Sequence, residues 1–222
     1  MLRSLISGGY SAEQAFVSIL SSIFVVFCTL PVHEFAHALV ATKLGDPTPK
    51  LNGRLTLNPL AHIDWIGAIM IILVGFGYAK PVPVNIRNFK NRKLYMGLTA
   101  AAGPFSNLIM AFIFLLLLGV SNIIYRNGAE FAQYVAMFLY YAAYINTALA
   151  VFNLLPVPPL DGSRILTIIV PDKYYYKIMQ YERYIMIGVM ILLFTGLLTT
   201  PLSFLTKIVF NGMANLASKI IF

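Results

Sequence analysis

The sequence predicts an all-α polytopic membrane protein, with about four full transmembrane helices, a re-entrant or short apolar segment, and a small membrane-edge β-hairpin. Three observations carry this expectation. Of 222 residues, 59% are hydrophobic and 11% charged, against roughly 25% charged in soluble domains. Uncharged stretches recur at lengths that match the about 20 helical residues needed to cross a bilayer. The basic residues cluster in particular connections, as the Lys and Arg excess of cytoplasmic loops requires. The same composition excludes a disordered chain, which needs low hydrophobicity and high charge. A single cysteine, Cys28, excludes an internal disulfide framework. The net charge of +8 belongs with membrane loops, because no basic stripe with interleaved aromatics marks a nucleic-acid partner.

One domain, residues 1–222, accommodates every element. The first span is expected near residues 12–44: Gln14 to Val32 is uncharged and the apolar pattern continues to Leu44. Arg3 is the one basic residue ahead of it and no small-x-small site precedes His33, so it reads as a span rather than a cleaved leader. Residues 50–58 (KLNGRLTLN) set Leu51, Leu55 and Leu57 among polar residues and carry Asn52-Gly53, a hairpin-turn signal. Residues 65–79 are uncharged and contain Gly67, Gly75 and Gly77, a stretch too short for a full span. Further spans are expected near 94–122, 129–155 and 183–203. The tail, 204–222, mixes Leu205, Ile208, Val209, Leu216 and Ile220 with Lys207, Asn211 and Lys219, which suits an interfacial helix.

Charge decides the topology. If 65–79 does not cross, one face holds Lys43, Lys50, Arg54, Lys80, Arg87, Lys90, Arg92, Lys93, Arg164, Lys173, Lys177 and Arg183, leaving Arg3, Arg126, Lys207 and Lys219 opposite. A crossing evens out that division, so the positive-inside rule favours the non-crossing arrangement, with both termini away from the cytoplasm.

The chemistry concentrates in His33-Glu34-Phe35-Ala36-His37. On a helix, positions i and i+4 share a face, so both imidazoles reach one metal ion while the adjacent glutamate serves as general base. The bland alternative is an accidental spelling on a core helix. Against it stands the cost of ionisable groups inside a membrane, about 2.5–3.5 kcal/mol for a charge at a helix centre. Catalytic zinc needs a third protein ligand and an open position. His62, Asp64, Glu130 and Asp161 are the candidates. Asp161 is best placed, because it ends Asn153-Leu-Leu-Pro-Val-Pro-Pro-Leu-Asp161-Gly162, where prolines stop a helix in apolar sequence. The competing role for Asp161 is to cap a following helix. Pro31 should bend the first span close to His33. His62 and Asp64 are read as partners of their own loop, and Cys28, turned off the His33 face, as core.

HEFAH at His33 to His37, Ala102-Gly103-Pro104-Phe105-Ser106-Asn107 and NLLPVPPLDG at Asn153 to Gly162 occur in the order of the site-2 protease family of intramembrane zinc metalloproteases, which the chain resembles over most of its length. LNPLAHID at Leu57 to Asp64 and YAKPVPVN at Tyr78 to Asn85 resemble its compact prokaryotic branch, which lacks a PDZ domain. The resemblance implies one Zn2+ per chain held by His33, His37 and Asp161, with Glu34 as catalytic acid/base. It implies that residues 50–58, with Arg54, Leu55 and Thr56, receive an unwound substrate segment, and that Asn153 and Asn107 contact substrate or the oxyanion. Gly103 and Ala100 to Ala102 are read as allowing close helix approach. The implied partners are transmembrane or membrane-anchored protein substrates and the lipid bilayer, and the implied location is a prokaryotic cell membrane, crossed several times. Two other functions use the same residues: a proton- or metal-conducting transporter, whose sites also lie on broken Gly- and Pro-rich segments, and an inactive scaffold.

Overall fold

The computed structural model describes residues 11–74 and 80–221. Among these the secondary structure is helical and no strand occurs. Three helices are long and apolar enough to cross a membrane: α1 (Ala12–Lys43), α4 (Arg92–Arg126) and α5 (Ala132–Asn153). Between α1 and α4 lie α2 (Thr48–Leu51) and α3 (Trp65–Val74). After α5 come α6 (Asp161–Ile165), α7 (Asp172–Met179), α8 (Glu182–Phe194) and α9 (Thr199–Ile221).

Helix α1 starts at a capping box, in which Ser11 and Gln14 exchange side-chain and backbone hydrogen bonds. The bend expected at Pro31 takes the form of a widened turn. Val25–Thr29 is π-helical, with the Leu30 N–H donating to the Val25 carbonyl. The extra residue in that turn accommodates a proline that cannot donate to its preceding turn. Cys28, expected in the core, is exposed on the outer face of this turn. Helix α4 contains Pro104, which cannot donate to its preceding turn, and the Ser106 hydroxyl donates to the Gly103 carbonyl at 2.7 Å.

Helices α1, α4 and α5 pack against one another. Phe24 meets Phe114 and Phe138 edge-on, with ring centroids 5.9 and 5.2 Å apart, and Ser21 donates to the Phe138 carbonyl. At the closed end of the α4–α5 pair, the Ser121 hydroxyl donates to the Ala132 carbonyl at 2.8 Å. Helix α9 lies along α4 and α5: Phe210 sits between Tyr140 and Tyr144, and Ile221 lies against Gly119.

Two expectations are corrected. The hairpin at 50–58 is absent, and its Asn52-Gly53 ends α2 instead. Gly53 adopts φ +66°, its N–H donates to the Lys50 carbonyl, and the Arg54 N–H donates to the Pro49 carbonyl, the paired bonds of a Schellman cap. Asn-Gly signals a positive-φ turn, and a helix end uses it as readily as a hairpin. The fourth span at 183–203 is also absent as one helix. Helix α8 ends at Phe194 and Gly196, at φ +83°, turns the chain into α9. Thirteen residues of α8 rise only about 20 Å, short of a core about 30 Å thick. Within the short segment 65–79, Trp65–Val74 forms α3, capped by Asp64, which accepts from the Ile66 and Gly67 N–H groups; residues 75–79 lie outside the described ones.

Candidate metal centre

Helix α1 carries His33 and His37 one turn apart, and both are buried. The chain then approaches them from α6. After α5 ends at Asn153, residues 154–160 run without regular structure and include a cis Pro158–Pro159 bond. They deliver Asp161 as the first residue of α6. The capping alternative does not hold: Leu160 is the N-cap residue and no side chain caps it, so the Asp161 carboxylate is available elsewhere. It reaches the imidazoles. Its Oδ2 lies 3.4 Å from His33 Nε2 and 3.3 Å from His37 Nε2, and the two Nε2 atoms are 3.1 Å apart.

Glycine makes this convergence possible at two places. A Cβ on Gly162 would collide with the Leu154 and Leu155 carbonyl oxygens, so the chain can double back only with glycine there. A Cβ on Gly103 would strike His37 Nε2 and His33 Cε1. Gly103 therefore does permit close approach, with the two imidazoles as what approaches.

The donor set fits a divalent cation. His37 Nδ1 is 2.7 Å from the Thr99 carbonyl, which can only accept, so that nitrogen carries the proton. In the neutral ring Nε2 then presents a lone pair toward His33 Nε2 and the Asp161 carboxylate. Ligands about 2.0–2.1 Å from one tetrahedral zinc ion lie about 3.3 Å apart, and the observed edges run from 3.1 to 3.4 Å. Among the described residues this is the group of three His, Cys, Asp or Glu side chains whose donor atoms come together, all within 4.8 Å.

The other candidate ligands lie elsewhere. His62 is fully buried but its Nε2 bonds the Thr56 carbonyl at 2.8 Å, and Asp64 caps α3. Both serve their own loop, as expected. Glu130 is exposed in the turn between α4 and α5.

The cluster opens into a cavity of about 330 Å³. Glu34, buried beside His33, lines it, as does Asn153. Most of the wall is apolar: Met70 from α3, Pro81, Val82 and Val84 from the connection to α4, and Met186, Val189 and Met190 from α8. Asn107 is buried one turn beyond Gly103 and is not part of the cavity wall. Arg54 donates to the Ala61 and Lys80 carbonyls, tying its segment to the stretch that leads to Val82, while Leu55 and Thr56 are half-buried nearby in sequence and line no part of the cavity.

Sequence reasoning missed two contributors. The Thr99 carbonyl that sets the His37 tautomer is a backbone group, so no residue type announces it. Asp46 is fully buried and joins the end of α1 to residues 85–88, next to the cavity wall. An isolated acid between Gly45 and a proline was its only signal.

The family model of peptidase family M50 matches residues 119–196, which include Asn153 and Asp161. YwhC of Bacillus subtilis (strain 168), provisionally named a zinc metalloprotease, is 44% identical over 176 residues, 79% of this chain and 80% of its own length. Rip2 of Mycolicibacterium smegmatis is 31% identical over 60% of this chain and 51% of its own, and MJ0611 of Methanocaldococcus jannaschii 32% over 60% and 62%; both carry similarly provisional zinc-metalloprotease names. The chain thus spans most of YwhC and about half to three fifths of the other two. No solved structure matches it significantly. With a metal-ready donor set on apolar helices and a relative this similar over four fifths of its length, the chain belongs to the site-2 protease family, peptidase family M50, of membrane zinc metalloproteases.

Proposed function

We propose that the protein is an intramembrane zinc endopeptidase that hydrolyses peptide bonds in or near transmembrane segments of membrane-protein substrates, as in regulated intramembrane proteolysis. The observation that carries this reading is the approach of His33 Nε2, His37 Nε2 and Asp161 Oδ2 to within 3.4 Å of one another, beside Glu34 in one apolar cavity. His33, His37 and Asp161 hold one zinc ion per chain. When bound, zinc supplies Lewis acidity toward the scissile carbonyl and toward water.

The chain's own residues do the rest. Glu34 takes a proton from the attacking water and passes it to the leaving amide nitrogen, so both transfers use one carboxylate. Asn153, at the cavity wall, donates one Nδ2–H to the Leu149 carbonyl at 2.9 Å; its second N–H donates a hydrogen bond to the substrate carbonyl or the developing oxyanion. The Thr99 carbonyl keeps His37 in the ligating tautomer. The apolar walls exclude bulk water and accept hydrophobic substrate side chains. A transmembrane substrate must unwind before attack, because its carbonyls are otherwise committed to the helix ladder. The described segment around Arg54, Leu55 and Thr56 contains no strand, so an entering segment meets a loop edge there rather than a sheet.

Three candidate spans support a multi-pass arrangement, and the bacterial and archaeal origin of the relatives supports a prokaryotic cell membrane. The test is Glu34→Gln in purified, reconstituted protein. Zinc content stays at one per chain while cleavage of a transmembrane peptide falls by about 10²–10⁴-fold. Unchanged proteolysis by this variant would overturn the assignment.

A further inference from the structure

A second set of buried polar atoms lies one helical turn from the metal centre, and the mechanism does not use it. His33 Nδ1 is buried without a hydrogen-bond partner among the described residues, and so are both amide atoms of Asn107 and the Oδ1 of Asn146. Asn107 is 1% exposed and Asn146 fully buried. Ionisable and amide groups at such depth are costly without partners, so each of these atoms calls for one.

The helix register places Asn107 and Asn146 at one depth, one turn beyond His33. Along α1 and α4, His37 Nδ1 meets the Thr99 carbonyl, and both imidazoles meet Gly103. The two helices therefore run antiparallel, and the next turn brings the Thr29 level of α1 to Asn107. Along α4 and α5, Ser121 is bonded to Ala132. Asn107 lies as many residues before Ser121 as Asn146 lies after Ala132, so at 1.5 Å per residue the two asparagines share a depth. The Ser21 bond to the Phe138 carbonyl closes the third pair in the same register, since Thr29 and Asn146 each lie equally far beyond those two residues. Where the three spans meet at this depth, α1 takes its π-helical turn, Val25–Thr29; such turns recur at functional sites.

The His33 ring borders this layer. Its Cε1, bonded to both ring nitrogens, is what a Gly103 Cβ would strike, and Asn107 is one turn further along the same face of α4. A ligating imidazole normally donates its remaining N–H to a carbonyl, carboxylate or water, which fixes its tautomer. His37 does so to Thr99. His33 has no such acceptor among the described residues.

We propose that Asn107 and Asn146 form an internal hydration site whose ordered water accepts the His33 Nδ1 proton. Such a water accepts from His33 Nδ1 and Asn107 Nδ2 and donates to Asn107 Oδ1 or Asn146 Oδ1, within the 2–4 bonds a buried water makes. Asn107 is thereby a positioning residue that acts on the metal centre through His33. The inference rests on His33 being a metal ligand, as read above.

The test compares full-length wild type with Asn107→Leu, Asn146→Leu and Asn107→Ser in detergent. Zinc affinity is read by chelator competition, and the ligand field by the visible spectrum of the cobalt-substituted protein. Asn107→Leu should weaken zinc binding by about 10–100-fold and shift the cobalt bands. Asn107→Ser, which leaves room for water, should recover most of the affinity. Asn146→Leu should show a smaller loss and serves if Asn107→Leu does not fold. Wild-type affinity and an unchanged cobalt spectrum in both leucine variants would overturn this inference alone. A wild type that holds no zinc would overturn the metalloprotease reading and this inference with it.

Discussion

Two carboxylates in this protein, fully buried Asp46 and half-buried Asp161, have opposite surroundings. Asp46 is enclosed by donors: Oδ1 accepts from the Thr48 N–H at 3.0 Å, the Thr48 hydroxyl at 2.5 Å and the Asn88 amide at 2.7 Å, and Oδ2 from the Asn85 N–H at 2.7 Å. Asp161 is instead faced by imidazole Nε2 atoms, at least one of which offers a lone pair. The first arrangement is complete within the protein and leaves a cation nothing to do. The second becomes complete when a cation enters. Burial alone therefore does not mark a metal ligand; the chemical character of what surrounds the acid does. The closed carboxylate adjoins the cavity without entering the cluster: the Asn85–Asn88 segment that it pins is next in sequence to Val82 and Val84 in the wall.

The largest expected effect tests that contrast directly. Zinc binding worth about 10–16 kcal/mol across three protein ligands assigns a single carboxylate about 3–5 kcal/mol, or roughly 10³-fold in affinity. Asp161→Ala should lose zinc by that factor in chelator competition, whereas Asp46→Ala should keep wild-type affinity. Undiminished zinc in Asp161→Ala would move the third ligand elsewhere, and lost zinc in Asp46→Ala would erase the distinction between the two acids.

The next effect is on stability. Removing the Asp46 carboxylate deletes four hydrogen bonds to a charged acceptor, from half-buried Thr48 and exposed Asn85 and Asn88, at about 2–3 kcal/mol in total, readable as a lower unfolding temperature in detergent. Its pH dependence has a definite sign. Burial pushes the Asp46 carboxyl upward, but the bonds from Thr48, Asn88 and Asn85 outweigh it and hold the group below the usual carboxylate range. A carboxyl depressed in the folded state stabilises it fully above the ordinary value near 4 and loses that contribution as pH falls through the folded one. The stability gap between wild type and Asp46→Ala should therefore be constant from about pH 7 to 5 and shrink below about pH 4. A gap that widens on acidification would contradict the hydrogen-bond account.

What the sequence made legible follows the same division. His33, Glu34, His37 and Asp161 stood out because ionisable groups are rare and costly in apolar stretches, and the helix period alone places the two imidazoles on one face. The prolines before Asp161 announced irregular backbone at that depth, and residues 154–160 have it. The failures share a cause: the signal was correct but compatible with more than one backbone. Asn52-Gly53 reported a positive φ, and the chain spent it on ending α2. The uncharged run from 184 to 206 reported apolarity, which is blind to the reversal at Gly196. The Thr99 carbonyl had no signal at all, being common to every residue type.

The smallest effect probes how far the loop that ends in Gly53 is separate from the metal centre. Gly53 is at φ +66° with open space around an added Cβ, so Gly53→Ala introduces backbone strain and no collision. A non-glycine residue in the left-handed region costs about 1–2 kcal/mol, and about 1 kcal/mol shifts the unfolding temperature of a chain of this size by about 2–4 °C. The turn sits at the far side of α2 from Asp46, whose bond to the Thr48 N–H holds the start of that helix. If those bonds isolate the turn, Gly53→Ala should show the small thermal shift with unchanged zinc affinity. A drop in zinc affinity together with the thermal shift would mean that strain at Gly53 travels past Asp46 into the cavity wall, and that the two carboxylates belong to one coupled structure after all.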